Sequence, residues 1–326
     1  MQLPSNIETR RLTAPQGLPE AARILAAGGL VAFPTETVYG LGADATDGEA
    51  VARIYAAKGR PSFNPLIAHV PDLAAAEREG VFNAQARALA LAFWPGPLTL
   101  VVPVAPTGAV SPLARAGLES VGLRVPAHPV ALALLRAFGK PVAAPSANRS
   151  GRVSPTEAAH VAGDLAGRVE AILDGGATQV GVESTIVACL DETPRILRPG
   201  GVTRQAIEAA LGRSLPDSQG AEAIIAPGMM QSHYAPSRPV ALAAQKGAAD
   251  AAILDFHGQL AHEPCLARID LSPAGDLIEA AARLFSALRR LDASGAARIL
   301  AAPVPEEGLG EAINDRLARA AAPRGL

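Results

Sequence analysis

The chain has few aromatic residues and almost no cysteine, and both shortages narrow what it can be. Phe, Trp and Tyr make up 3% of its 326 residues, so a core within the hydrophobic fraction of 49% has to be built from Ala, Val, Leu and Ile. Two cysteines, Cys189 and Cys265, are too few for a disulfide framework and fit no metal-knuckle spacing. This usage favours a reducing compartment and predicts a cytoplasmic protein.

The sequence also lacks long apolar runs and an excess of one charge. No stretch of about 18 apolar residues is available to span a bilayer, and the segment MQLPSNIETRRL lacks the apolar run of a signal peptide, so we expect no membrane association. The net charge is −2, with 18 basic and 18 acidic residues over 1–212 and 11 and 13 over 213–326. Without a basic excess, direct nucleic-acid binding is expected to be weak or absent.

The familiar catalytic signatures are missing as well. The chain has no Walker A loop, no HExxH, no GxSxG elbow and no GxGxxG that opens a helix after a strand. Gly40 and Gly42 form only a bare GxG. A functional site therefore has to be sought in less common motifs.

Helical and strand patterns alternate over residues 10–212. At least seven strand-like segments with helices between them predict one α/β domain, although the pattern leaves the strand order open. STIVACL and RILRPG are expected to pair antiparallel through a DETP turn. The stretch TETVYGLGADAT, which follows a buried strand at 30–34, is expected to be irregular.

Capping residues mark the ends of two predicted helices in this domain. Asp47 as N-cap and Gly59, just before Pro61, delimit the first. SPTEAAHVAG has the pattern of a capping box and predicts the second, with Ser154 as N-cap and Glu157 three residues on.

The remaining sequence divides into a linker and a second, smaller domain. Residues 213–238 are rich in Pro, Gly, Ser and Ala without sustained periodicity, and unstructured stretches of this length often form lids or binding loops. Residues 239–326 predict the order β-β-α-β-α, with an amphipathic helix from Asp276 to about Asp292. This order predicts a small Rossmann-like α/β domain with a parallel sheet.

The first candidate site segment is KGRPSFNPLIAH. Its two cations, Lys58 and Arg60, lie between a predicted helix and a strand, close enough in sequence to bracket one anion such as a triphosphate. The alternative is that both only complement the helix dipole.

The second segment, PSANRSG, directly follows a predicted buried strand. Ser146 and Asn148 alternate with Ala147, so both side chains could point the same way, and α/β folds place ligands at such strand ends. The alternative is an ordinary turn in which both side chains satisfy local backbone groups.

Two arginines complete the candidates. Arg124 lies in the apolar strand VGLRVP and must be paired, either with an internal acid or with a substrate carboxylate. In GVESTIV…RILRPGG, Ser184 begins a strand and Arg198 ends the next, where it could bind phosphate or merely cap the turn.

Seven sequence blocks occur in an order typical of one family. They are FPTETVYGLG, KGRPSFNPLIAH, GLRVP, APSANRSG, VESTIV, RILRPG and HYAP. The chain resembles the YrdC-type threonylcarbamoyl-AMP synthases in their long form with an additional C-terminal domain. The resemblance covers almost the whole chain. The Lys58/Arg60 and Ser146/Asn148 pairs match the family's signature.

This resemblance implies a reaction and a fold. The family condenses L-threonine, bicarbonate or CO2 and ATP into threonylcarbamoyl-AMP, with release of pyrophosphate. ATP is a substrate that brings Mg²⁺ with it, and a partner system transfers the threonylcarbamoyl group to tRNA. The family fold is a large, twisted, mixed and mostly parallel sheet around a concave basic cavity.

The resemblance also implies roles for individual residues. The signature residues Lys58, Arg60, Ser146 and Asn148 would be catalytic, with Asn148 near the phosphates and metal. The L-threonine side would consist of Thr37, His69, Arg124, Ala144 and Ser184. The ATP side would consist of Lys58, Arg60, Asn64, Ser120, Ser146, Ser154, Arg198 and, from the linker, Tyr234. No residue is expected to form a dedicated metal site.

Two positions depart from the family pattern. Gln231 stands where a basic or aromatic residue usually precedes the His-Tyr pair, and Ser120 replaces a common threonine but keeps the hydroxyl. We expect the linker to fold over the first domain as a lid, with Tyr234 on the ATP side. The alternative is that Tyr234 only docks the two domains.

Two other functions compete with this one. The first is a non-catalytic RNA-binding or ribosome-associated protein of the same fold, which the neutral charge of residues 1–212 disfavours. The second is a carbamoyl-transfer relative from hydrogenase maturation, which would need acylphosphatase and zinc-finger regions that this chain has neither the length nor the cysteines to supply.

Overall fold

The structure, a computed structural model, describes residues 7–216, 226–227 and 233–323. The elements up to residue 211 are β1 (Arg10–Thr13), α1 (Leu18–Ala26), β2 (Val31–Pro34), β3 (Tyr39–Asp44), α2 (Gly48–Lys58), β4 (Ile67–His69), α3 (Leu73–Glu79), α4 (Ala84–Phe93), β5 (Leu98–Pro103), β6 (Ser120–Arg124), α5 (Pro129–Phe138), β7 (Val142–Ala143), α6 (Ala158–Leu165), β8 (Ala171–Asp174), β9 (Thr185–Ala188), β10 (Arg195–Arg198) and α7 (Arg204–Leu211). The elements after the linker are β11 (Val240–Ala241), β12 (Ala252–Asp255), β13 (Ala267–Asp270), α8 (Leu277–Asp292), β14 (Ile299–Ala301) and α9 (Gly310–Ala321).

Ten strands form the larger sheet, in the order β1-β8-β2-β3-β7-β4-β6-β5-β9-β10. The predicted mixed sheet is confirmed, and β9 and β10 pair antiparallel as expected. The prediction that most strand pairs are parallel was wrong, because five of the nine neighbouring pairs described here are antiparallel. The order depends on pairings between segments far apart in the chain, which local patterns do not encode.

Strand β3 lies where the sequence predicted an irregular stretch, so that prediction was wrong. It is fully buried and pairs antiparallel with β2, with Gly42 opposite Val31. A Cβ on Gly42 would lie 2.8 Å from Cε1 of Phe33 and 2.9 Å from Cγ1 of Val142. Glycine is required here by close packing inside a strand, and its low strand propensity hid the strand from sequence analysis.

The two capping predictions had opposite outcomes. Asp47 accepts a hydrogen bond from the amide of Glu49, and Gly59 ends α2 in the left-handed conformation, as predicted. The capping box at Ser154 was wrong, because α6 begins after Glu157 and has no side-chain cap. The Ser154 hydroxyl donates instead to Glu183, 29 residues away in sequence.

The smaller sheet has the order β11-β14-β12-β13, and all its neighbouring strands are parallel, as predicted. Strand β13 was missed, as was β1. Both are edge strands of partly exposed residues, so neither has the apolar pattern that reveals a buried strand.

Each sheet has its own hydrophobic core, and the two parts of the chain are packed together. Val38, Val153 and Val182 from the first part belong to the apolar cluster of the second. Helix α7 belongs to the first core through Ile207, which is fully buried. Among the described residues, no helix combines the length and the apolar character needed to cross a bilayer.

Candidate active site

A cavity lies where several strands of the large sheet end, beside the segment that leads into the second domain. His69 ends β4 and Arg124 ends the parallel neighbour β6, and the two residues are direct register partners. Arg198 ends β10. The cavity brings together eight of the predicted site residues, which are Arg60, His69, Arg124, Ala144, Ser146, Ser184, Arg198 and Tyr234.

Lys58 and Arg60 are buried, with exposed fractions of 3% and 8%. Lys58 lies in the last turn of α2, so a dipole role stays compatible with its position, but neither cation is a solvated surface charge. The Lys58 ammonium donates to the backbone carbonyls of Ser146 and Asn148, so it ties α2 to the PSANRSG loop. Burial, followed by the neighbouring charge of Arg60, lowers the pKa of Lys58 well below its usual value.

Arg60 faces the cavity and also organises the segment that precedes β4. Its guanidinium donates to the carbonyls of Asn64 at 3.3 Å and of Pro65 at 3.1 Å. Burial lowers the pKa of Arg60 to about 10, so it stays charged at neutral pH. Of the other predicted ATP-side residues, Ser120 begins β6, the parallel neighbour of β4, and Asn64 lies three residues before β4 begins.

The PSANRSG loop separates Ser146 from Asn148. Ser146 lines the cavity and forms a bridge with Gly40 of β3. The Asn148 side chain donates to the carbonyls of Arg149 and Arg152 at 2.8 Å each, while its buried Oδ1 has no hydrogen-bond partner among the described residues. Asn148 thus shapes the turn, as the alternative interpretation expected, and keeps one acceptor available.

Arg124 is held by an acid that the sequence analysis did not name. Its Nη2 forms a buried ion pair with Oε1 of Glu36 at 2.6 Å and also donates to the Thr37 hydroxyl at 3.0 Å. Its buried Nε has no hydrogen-bond partner among the described residues. The internal-acid alternative is therefore correct for Nη2, and Arg124 also lines the cavity.

His69 lies beside Arg124 with an uncharged ring. Burial, followed by the charge of Arg124, lowers the pKa of His69 to about 3. Its ring is edge-on to Phe33 at 6.3 Å between centroids. A neutral imidazole here can form a hydrogen bond without adding a third charge to the pair of Arg124 and Glu36.

Ser184 and Arg198 form a second polar cluster. The Ser184 hydroxyl lies 2.8 Å from the Thr99 hydroxyl, and its carbonyl accepts from Nη2 of Arg198 at 2.8 Å. Arg198 also donates to the carbonyl of Pro227. Arg198 is buried, so it is not a surface arginine that only caps a turn.

Tyr234 is buried between the two domains and also lines the cavity. Its ring stacks on Phe285 at 5.5 Å, and the Arg316 guanidinium lies 5.1 Å from the ring centroid. The position of Tyr234 is therefore compatible both with a contact on the ATP side and with a docking role between the two domains. Of the predicted linker, residues 217–225 and 228–232, including Gln231, lie outside the described residues.

Three titratable residues of the site were not predicted from the sequence. Glu183, in VESTIV, and His233, just before Tyr234, line the cavity, and Glu36, in FPTETVYG, pairs with Arg124. His233 is buried, its Nδ1 has no hydrogen-bond partner among the described residues, and burial and the nearby Arg60 lower its pKa far below the usual value. Arginines in apolar strands need acidic partners, and both glutamates lie in apolar motifs, so this pattern could have indicated Glu36 and Glu183.

The charges of this cavity define a class of protein. Arg60, Arg124 and Arg198 line the cavity and Lys58 is buried against the carbonyl of Ser146, while Glu36 and Glu183 offset only part of this charge. Such a site suits a ligand with several negative charges, and positioning with charge neutralisation is the main requirement of nucleotidyl transfer. Fold and site thus define a two-domain α/β protein with a buried cationic site for an anionic substrate.

Comparison with known proteins identifies the family. Residues 23–200 match the profile described as "Telomere recombination", and residues 202–322 match "Threonylcarbamoyl-AMP synthase, C-terminal domain". Threonylcarbamoyl-AMP synthase of Bacillus subtilis is 44% identical, over 94% of this chain and 93% of the relative. Pyrococcus abyssi Sua5 complexed with L-threonine superposes with a TM-score of 0.86 at 39% identity, over 95% of this chain and 96% of that one.

A second Pyrococcus abyssi Sua5 structure, a variant with a histidine and a tyrosine each replaced by alanine, has a TM-score of 0.87 at 36% identity, over 96% of each chain. The chain belongs to the threonylcarbamoyl-AMP synthase family, in its two-domain form. The resemblance drawn from the ordered sequence blocks is thereby confirmed, as is the interpretation as an enzyme rather than a non-catalytic binding protein.

Proposed function

We propose that this protein condenses L-threonine, bicarbonate or CO2 and ATP into threonylcarbamoyl-AMP and pyrophosphate. One observation carries the proposal: in a chain from this family, the cavity is lined by a buried arginine, Arg124, whose Nε has no hydrogen-bond partner among the described residues, and three further buried basic residues lie in or beside it. The first suits an amino-acid carboxylate and the others suit a triphosphate.

On the threonine side, Arg124 is the proposed partner of the substrate carboxylate. Thr37, His69, Ala144 and Ser184 are the proposed remaining contacts. The neutral His69 ring supports this assignment, because it can bind a substrate hydroxyl or amine without opposing Arg124.

On the ATP side, the proposed phosphate ligands are Lys58, Arg60, Ser146 and Arg198. Asn64, Ser120, Ser154 and Tyr234 are the proposed contacts of the rest of the nucleotide. Lys58 is the least direct of these, because its ammonium now binds two carbonyls of the PSANRSG loop. Its proposed role therefore includes holding that loop as well as meeting phosphate.

ATP in such a site would bring Mg²⁺, which retains water and phosphate oxygens as most of its ligands and so needs few from the protein. No group of three His, Cys, Asp or Glu side chains able to hold a metal occurs among the described residues. The unpartnered Oδ1 of Asn148 fits the smaller requirement of one added oxygen. The ion would neutralise phosphate charge there.

The proposed chemistry needs no protein nucleophile. The threonine amine first adds to CO2 and loses a proton to give a carbamate; when bicarbonate is the source, water leaves as well. A carbamate oxygen then attacks the α-phosphorus of ATP, the bond from that phosphorus to the oxygen that bridges to the β-phosphate breaks, and pyrophosphate leaves. Buried arginines and the lysine balance the charge, and the walls exclude the water in which a carbamate readily loses CO2.

The decisive experiment measures pyrophosphate release with threonine and bicarbonate omitted in turn. We expect release only when both are present with ATP, together with a product of the mass of threonylcarbamoyl-AMP. Release that ignores either omission would reject the proposed function. Omission of Mg²⁺ in a further reaction tests the proposed ion separately.

Three wider points complete the proposal. The product would pass to a tRNA threonylcarbamoyl-transfer complex, and the protein would act in the cytoplasm without binding nucleic acid strongly. We also propose that the catalytic domain spans residues 10–212, the lid 213–238 and the second domain 239–326.

A further inference from the structure

An arginine of the second domain reaches the wall of the cavity. Arg316 lies on α9, and its side chain has no exposed surface. Its Nε lies 2.7 Å from Oε2 of Glu183, and its Nη2 donates to the carbonyl of Pro199 at 2.9 Å. Because Glu183 lines the cavity, one salt bridge connects the second domain directly to the site.

Glu183 poses an electrostatic problem for the proposed site. It is buried beside Ser184, and its other oxygen accepts from the Ser154 hydroxyl at 2.5 Å. A carboxylate in the wall of a cavity for triphosphate would repel the ligand unless a cation offsets it. Burial raises the pKa of this carboxyl, but Arg316 and then Arg198 outweigh burial and hold it below the usual value.

We propose that Arg316 is a positioning residue for the ATP site: it neutralises Glu183 and fixes its carboxylate, so that Arg60 and Arg198 remain available to phosphate. The proposal rests on the proposed function. It gives the second domain a defined part in nucleotide binding.

The geometry requires arginine at this position. Nε binds Glu183, Nη1 binds Asp315 and Nη2 binds the carbonyl of Pro199, while Cζ lies over the Tyr234 ring, 5.1 Å from its centroid. A lysine ammonium is a compact charge on a flexible stem and cannot meet all these partners at once. We therefore expect Arg316→Lys to restore only part of the function.

Two further ion pairs between the domains involve no residue that lines the cavity, and the first of them can serve as a control. Arg204 on α7 pairs with Glu311 on α9 at 2.8 Å, and Arg289 on α8 pairs with Asp164 at 2.7 Å. Glu311→Gln therefore weakens an ion pair between the domains, on the same helix as Arg316, without changing a residue that lines the cavity.

The test is a double-mutant cycle of Arg316→Met and Glu183→Gln, with Glu311→Gln as control. Methionine retains an apolar stem and a favourable contact with the Tyr234 ring, so the substitution removes the charge and the hydrogen bonds of the guanidinium while it keeps the packing. For each full-length variant, thermal unfolding is followed, KM for ATP and kcat are measured by pyrophosphate release, and L-threonine binding is measured by calorimetry.

We expect Arg316→Met to raise KM for ATP at least about tenfold, with threonine affinity retained. In the Glu183→Gln background, where the repelling charge is gone, the same substitution should change KM by less than about threefold. If Arg316→Met alone does not fold, Arg316→Lys takes its place in the cycle: it should raise KM for ATP in the wild-type background and leave KM nearly unchanged in the Glu183→Gln background.

The proposal is overturned if Arg316→Met raises KM no more than Glu311→Gln does. A tenfold defect that persists in the Glu183→Gln background also overturns it, because Arg316 would then act independently of Glu183. A wild-type chain without threonine-dependent pyrophosphate release would instead reject the proposed function. That outcome is recognised before any variant is compared.

Discussion

Replacement of Arg124 gives the sharpest test of the threonine side, and the structure determines how the variant must be built. Arg124 and Glu36 form an ion pair at 2.6 Å, with side chains 5% and 8% exposed. Loss of one partner of a buried pair costs about 3–5 kcal/mol, because the other charge stays buried and unpaired. That is a large part of the 5–15 kcal/mol that stabilises a typical domain, so Arg124→Leu alone would report mainly on folding.

The double variant Arg124→Leu/Glu36→Gln avoids this problem, because both charges leave together. The glutamine oxygen can still accept from the Ala127 amide, as Oε2 of Glu36 does at 3.0 Å. Two charge-assisted hydrogen bonds to a substrate carboxylate, at about 1.5–3 kcal/mol each, correspond to at least about a 100-fold loss of threonine affinity. Calorimetric titration with L-threonine measures the loss, and thermal unfolding verifies that the variant is folded.

Glu36→Gln alone is the matched control. It leaves Arg124 buried without its internal acid, which lowers stability by the same argument. In the folded variant the threonine carboxylate becomes the partner of Arg124, so threonine should bind at least as tightly as to the wild type. The reasoning is refuted if the double variant is folded and binds threonine with wild-type affinity. Arg124 would then be a structural member of an ion pair and nothing more.

Three further predictions follow from the buried groups of the cavity. Lys58→Met removes the ammonium that ties α2 to the PSANRSG loop, and we expect KM for ATP to rise at least about tenfold; an unchanged KM would leave Lys58 a purely structural role. Because the pKa of His69 is held at about 3 in the fold, its contribution to stability is complete above about pH 6.5 and is lost as the pH falls toward 3, by up to about 1.4 kcal/mol per pH unit. Urea unfolding at pH 7 and pH 5 should therefore show a smaller acid loss for His69→Asn than for the wild type, and equal losses would contradict this. Tyr234→Ala should raise KM for ATP and leave threonine binding in place, whereas full activity would show that Tyr234 is only a docking residue. Protease cleavage of the linker should also slow when ATP and threonine are added together, and equal cleavage rates with and without these ligands would reject the lid.

Sequence by itself determined the local elements of this protein and its family. Asp47 and Gly59 delimit α2 because a cap and a left-handed residue act within one turn of the helix. The amphipathic pattern of α8 likewise lies within a few turns of chain, and its predicted start and end were close to those observed. The ordered motifs revealed the resemblance to a family, and that resemblance assigned roles to the candidate residues. Composition and spacing alone left those roles open.

Tertiary structure decided which polar groups meet, because those partners lie far apart in the chain. Arg124 pairs with Glu36, 88 residues away in the sequence, and Arg316 pairs with Glu183, 133 residues away. Ser154 matched a capping pattern but bonds to Glu183, since a buried carboxylate is the stronger acceptor once the fold brings the two together. Burial decided the charge states as well: the same imidazole that titrates near neutral pH in an open chain stays neutral at His69, because the fold removes water from it and places Arg124 beside it.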